Sequence, residues 1–159
     1  MNNNLKYRIE NKYGIDALPS WVRVENPMGY YETVVGLEKV NESEYEYRIS
    51  GHFRPIINGK NNLLRKDIAD LILKYVPEQI ELKPIKIIRK STGEFWIDYY
   101  ELTTKKSFNH SEYDKIESKG LMIFGVESEI YFSNDLKDIL LNDLKTEEVE
   151  FREGKTLFA

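Results

Sequence analysis

The chain has 159 residues, contains no cysteine and carries a formal net charge of −4 with a pI near 5.4. The missing thiols exclude thiolate metal sites, thiol catalysis and any disulfide framework. The acidic balance argues against a general nucleic-acid binder, which shows a basic surplus or patch. Charged residues make up 31% of the chain with both signs interspersed, so a folded rather than disordered chain is expected. The length fits one domain, 1–159, able to fold without a metal or disulfide staple. MNNNLKYRIE lacks the apolar core of a signal peptide, and no stretch approaches the ~20 apolar residues of a membrane span. The expectation is a cytoplasmic protein with no membrane partner.

Residues 1–60 read as a mainly β half. Leu5, Tyr7 and Ile9 alternate with Lys6, Arg8 and Glu10, the period-two pattern of a half-buried strand. Trp21–Glu25 and Tyr30–Leu37 are further strand candidates, separated by an Asn-Pro-Met-Gly turn. In Glu44–Ser50, Glu44 and Glu46 alternate with Tyr45 and Tyr47, placing acid on one face and aromatic on the other. Gly51–Asn62, rich in Gly, Asn and Pro, reads as a loop.

Residues 61–159 read as an α+β half. Leu63–Val76 has helical spacing, with Leu64, Ile68, Leu71, Ile72 and Tyr75 on one face. Asn61 or Asn62 is the expected cap, and Pro77 the stop. Gln79–Lys90 is a strand interrupted by Pro84, hence an edge strand or one broken by a bulge. It forms a hairpin with Glu94–Leu102 across Ser91-Thr92-Gly93. Thr103–Gly120 is polar and irregular with one helical turn. Leu121–Ser128 and Glu129–Ser133 are short strands. Asn134–Lys145 is a second amphipathic helix capped by Ser133, and Glu147–Glu153 is a final strand. The fold class expected is α+β: about nine short, mostly antiparallel strands in a mixed sheet with two amphipathic helices.

The chemistry-bearing motifs are sparse. The chain has two histidines, His52 and His110, and neither sits in a nucleophile motif. His110, Glu112 and Asp114 would share a face only on a strand, so a solvated role is the simpler reading. Phosphate-binding glycine loops are missing. Asp135, Asp138 and Asp143 lack the glycine and closing glutamate of a calcium loop. With 27 acidic residues, any carboxylate pair suited to hydrolysis arises by abundance alone. No catalytic, metal or cofactor residue is therefore assigned. Tyr45, Tyr47, Tyr99 and Tyr100 cluster on strands beside acids. Tyrosine at an acidic surface suits a protein interface, and packing in the sheet with a wet hydroxyl is the competing reading.

One resemblance rises above composition. The helix DIADLILKYVPEQIEL ends at a proline and runs into the strand KPIKII. The tyrosine-rich strand EFWIDYYEL follows, then a polar stretch holding Ser107 and Ser111, then IYFSNDLKDILLNDLKTEEVEFREG. In this order, from about Asp67 to Gly154, the chain resembles the type-eleven immunity protein domain family of bacterial polymorphic toxin systems. The resemblance implies a non-catalytic cytoplasmic protein that binds and neutralises a cognate toxin. It carries over no site residue, because contact surfaces in such families vary with the toxin. From the residues themselves, the expected partner surface is acidic and aromatic: Glu42, Glu44, Glu46, Asp98 and Tyr100, with a solvated strand face as the competing reading of the glutamate row. The alternatives are a small hydrolase using carboxylates or His110, and an adaptor subunit with a permanent partner. Monomer and dimer both remain open, since an exposed strand such as Gln79–Lys90 can pair between chains.

Overall fold

The computed structural model describes residues 5–11, 37–47, 55–57, 61–90 and 92–154. The strand candidates at Trp21–Glu25 and at 30–36, and His52, lie outside these residues. Among the described residues the fold is α+β, with eleven strands and two α-helices. The strands are β1 (Lys6–Asn11), β2 (Leu37–Asn41), β3 (Glu44–Tyr47), β4 (Ile56–Ile57), β5 (Asn62–Arg65), β6 (Ile80–Arg89), β7 (Phe95–Thr104), β8 (Ser107–Phe108), β9 (Ile123–Val126), β10 (Glu129–Ser133) and β11 (Val149–Glu153). The helices are α1 (Lys66–Tyr75) and α2 (Asn134–Asp143). The strands divide into two sheets rather than one, ordered β11-β1-β10-β9-β8 and β2-β3-β6-β7-β5-β4. Only β3–β6 and β8–β9 run parallel; the other pairings are antiparallel.

The two sheets and both helices share one apolar core. Ile68, Ala69 and Ile72 of α1 and Leu136 and Leu140 of α2 pack with Ile9, Phe132 and Val149 from the five-stranded sheet and Leu64, Ile80 and Leu102 from the six-stranded one. Three side-chain amides knit the sheets together. Asn11 takes the place of a strand partner for Ile56, donating to its carbonyl at 2.8 Å and accepting from its N–H at 3.1 Å. Asn62 donates to the Ser128 carbonyl at 2.9 Å. Gln79 accepts from the Ile123 N–H at 2.9 Å and donates to the Leu121 carbonyl at 2.8 Å. Each amide satisfies backbone groups that burial would otherwise leave unpaired at a cost of ~1–3 kcal/mol. Gly125 allows β9 to approach β7, since a Cβ there would stand 2.7 Å from the Thr104 hydroxyl.

Several expectations are corrected. Helix α1 begins at Lys66, not Leu63. Leu63 and Leu64 belong to β5 and point to opposite sides, Leu63 into a cluster with Tyr45 and Tyr99 and Leu64 into the shared core. Neither Asn61 nor Asn62 caps the helix; Arg65 is its N-cap without a side-chain bond, and the Asn62 amide is spent on Ser128. Part of the expected loop is the short strand β4, paired Ile56↔Leu64 and Ile57↔Leu63. Strand β6 lies inside its sheet, yet tolerates Pro84 because β3 pairs with it only from Lys86 onward. At Pro84 only the β7 side is paired, to Tyr100, so the missing N–H breaks no β3–β6 bond. A bulge does follow, between Ile85 and Ile87.

Strand β1 is not half solvated. It sits between β11 and β10, and its polar side is covered too: Lys6 and Glu10 are 4% and 6% exposed. The Lys6 ammonium lies 4.9 Å from the centre of the Tyr113 ring, and burial lowers its pKa. Glu10 is flanked by Arg8 and, at 3.2 Å, by Arg152; burial nevertheless raises its pKa above the usual carboxylate value. Tyr113 comes from a short 3-10 helix, His110–Lys115, and joins Ile116, Phe124, Val126 and Tyr131 in a separate apolar cluster. The Ser133 cap of α2 is as expected: its hydroxyl accepts from the Leu136 N–H at 3.3 Å.

Candidate functional site

The part of the molecule best shaped for a partner is one half of the six-stranded sheet. Strand alternation sorts its side chains onto two faces. Tyr45, Ile57, Leu63, Ile85, Ile87 and Tyr99 fall on one face and are buried, with Trp96 packed against them. Trp96 and Tyr99 share that face although three residues apart, because β7 carries an extra residue there. Ile85 pairs with Tyr99 and Ile87 with Trp96, so Ile97 and Asp98 stand against Lys86 alone.

The opposite face is covered unevenly. Helix α1 packs over Leu64, Leu82, Tyr100 and Leu102. Beyond it, the strip formed by β2, β3, the end of β6 and the start of β7 lies open. Phe95 is 56% exposed, Ile97 70% and Val40 47%, the last at a second irregularity in the β2–β3 pairing. Around these apolar groups stand carboxylates. Glu46 lies directly opposite Glu38 across β2–β3, and Glu44 is opposite Lys86 across β3–β6. Asp98 is exposed at the bulge. The Lys86 ammonium lies 4.5 Å from the centre of the Phe95 ring and 3.9 Å from the Glu44 carboxylate. Apolar groups clustered on an open face and rimmed by polar ones mark interaction surfaces rather than ordinary scattered exposure.

The five residues expected to form a partner surface are thus only partly assembled. Glu44, Glu46 and Asp98 meet on the open strip. Glu42 sits in the β2–β3 turn and is drawn away by Lys83 at 2.9 Å and Lys39 at 3.9 Å, and its bond to Lys83 holds its carboxyl below the usual range. Tyr100 lies at the margin of the α1 cover, packed against the shared core, with the Lys66 ammonium 5.9 Å from its ring centre. Tyr45 and Tyr99 are core residues. The Tyr45 hydroxyl donates to Glu101, which also meets Lys39 at 3.4 Å, and burial raises the Tyr45 pKa far above that of a free phenol.

Phe95, Ile97, Val40 and Glu38 were not singled out by sequence reasoning. A signal existed in the run Phe95-Trp96-Ile97: three consecutive apolar residues on a strand cannot all face one core, so at least one must emerge on the far side.

The His110, Glu112 and Asp114 set does not assemble. On a 3-10 turn positions i and i+3 eclipse, so i, i+2 and i+4 point in three directions. Glu112 is occupied in a capping box, accepting from the Asn109 N–H at 3.0 Å. Among the described residues no group of three or more His, Asp or Glu is placed to hold a metal ion. Asp143 accepts from the Tyr75 hydroxyl and lies 3.6 Å from Lys74, and Asp138 lies 2.7 Å from Lys137, which ties both into the helix surface. Among the described residues no helix is long and apolar enough to cross a membrane. No family model matches the chain, and none of the curated proteins or solved structures compared with it is similar enough to count as a match.

Proposed function

We propose that this chain is an immunity protein: it binds a cognate bacterial toxin in the cytoplasm and neutralises it by direct contact, without catalysis. The observation that carries this reading is the open sheet strip, with Phe95 and Ile97 exposed among Glu44, Glu46 and Asp98. An inhibitor needs a rigid, complementary surface, and the backbone of paired strands loses little further freedom when a partner lands on it, so only side-chain ordering is added. The order of elements from Asp67 to Gly154, which resembles an immunity family, points the same way.

Affinity capture of the tagged chain from its native cell, followed by toxicity testing of each captured protein, tests the proposal. The expected result is one larger protein with a domain that kills cells unless this chain is co-expressed. If no captured protein is toxic, or if toxicity is unrelieved by the chain, the proposal fails. A permanent complex with a harmless partner would establish an adaptor subunit instead.

A further inference from the structure

Resting on the inhibitor reading, we infer that the occupant of the open strip is a cationic protein surface that carries an apolar projection, and not a second copy of this chain. The composition of the strip argues for both halves of that description. Its centre is apolar: Phe95, Ile97 and Val40 are three of the five large hydrophobic side chains exposed among the described residues. Its rim is acidic: among the described residues Glu44, Glu46 and Asp98 stand around Lys86 on this face. Two copies meeting through this strip would form a self-complementary contact, placing each acidic rim against the other. Like charges brought together across an interface oppose association. A basic partner meets the same rim with attraction and is steered toward it.

Lys86 displays the recognition chemistry within the chain itself. Its ammonium lies over the Phe95 ring at 4.5 Å while staying 3.9 Å from Glu44. A guanidinium arriving from a partner would find the same pairing of aromatic face and carboxylate at Phe95, Glu46 and Asp98, and arginine suits both contacts better than lysine. The strip is also reachable: Val40, Phe95, Ile97 and Asp98 are all exposed, and among the described residues β2 is the outermost strand of its sheet.

The test uses isotope-labelled full-length protein and three synthetic peptides: repeating Arg-Leu-Gly, repeating Arg-Ser-Gly and repeating Glu-Leu-Gly. Amide shifts are followed by NMR. The Arg-Leu-Gly peptide is expected to shift Val40, Glu44, Glu46, Phe95, Ile97 and Asp98, and to bind about tenfold more tightly than Arg-Ser-Gly. Glu-Leu-Gly is expected not to bind. The variant Phe95→Ser/Ile97→Ser should erase the advantage of leucine, and Glu46→Lys/Asp98→Lys should weaken both arginine peptides about tenfold and flatten their salt dependence. Phe95, Ile97 and Asp98 are exposed and Glu46 is half-buried, and an unchanged amide spectrum elsewhere confirms the fold of both variants. Shifts centred instead on the cleft between α1 and α2, which Asp67, Asp70 and Asp143 line, equal binding of Glu-Leu-Gly, or indifference to charge reversal would each overturn the inference. So would a dimer in sedimentation that Phe95→Ser/Ile97→Ser converts to monomer. Because no toxin enters this experiment, a negative result here leaves the toxicity test of the function standing, and the reverse also holds.

Discussion

Glu127 is the one non-glycine among the described residues whose backbone enters the left-handed region, at φ +57°, in the two-residue turn that joins β9 to β10. An L-residue there costs roughly 1–2 kcal/mol, and a β-branched one more, whereas glycine is unstrained. Glu127→Gly should therefore unfold at equal or higher denaturant concentration than the wild type, by up to about 1 kcal/mol once the looser unfolded chain is counted. Glu127→Ile should lose about 1 kcal/mol or more. The reverse order would show that the turn does not hold this geometry.

Asp67 gives a second prediction at this scale. The guanidinium of Arg65, hydrogen-bonded at 2.8 Å, holds the Asp67 carboxyl below its ordinary value. A carboxyl with a lowered pKa in the folded state adds stability above its unfolded pKa and loses it as pH falls through the folded one. Asp67→Asn should then destabilise at pH 7, by no more than about 1 kcal/mol because the pair is half exposed, and should cost nothing at about pH 2. Equal loss at both pH values would assign the effect to packing instead.

At the scale of elements, the joints between the sheets matter more than any single strand. Gln79 sits at the entry to β6 and satisfies two backbone groups of the Leu121–Ile123 segment. Gln79→Ala orphans both and should cost about 2–4 kcal/mol in denaturant unfolding with an unchanged slope. A loss under 1 kcal/mol would mean that water takes over both bonds.

These joints also mark where sequence reading runs out. Helix α2 is plain in the chain, because Ser133 opens it and Leu136 and Leu140 repeat at helical spacing. The start of α1 is hidden, because Leu63 and Leu64 continue its spacing while lying on a strand whose two faces are both buried. Lys6 and Glu10 look like a solvent face until Tyr113 is seen beside Lys6 and Arg152 beside Glu10, each over a hundred residues away. Pro84 reads as a mark of the sheet edge, and it is open on one side only because β3 starts late. The acids of the partner surface are visible as Glu44 and Glu46 on one side of β3. What the chain does not display is the bulge opposite Lys86, which turns Trp96 inward and leaves Ile97 and Asp98 outside.

At the scale of the molecule, the net charge of −4 is modest, and its placement carries more meaning than its size. Helix α1 covers part of the six-stranded sheet and leaves the strip beyond it open, so the apolar side chains of that strip are available to a partner. Burying what remains exposed of Phe95 and Ile97 against one would contribute roughly 1–2 kcal/mol each, enough for two anchors of an interface whose rim sets the association rate. The most direct measurement is the survival of cells that express the captured partner's lethal domain with either the wild-type chain or Glu44→Lys/Glu46→Lys/Asp98→Lys. Full rescue by the wild type, and loss of rescue by a triple variant with an unchanged thermal midpoint, is the result expected. Equal rescue by both would contradict the claim that the open strip is where the partner binds.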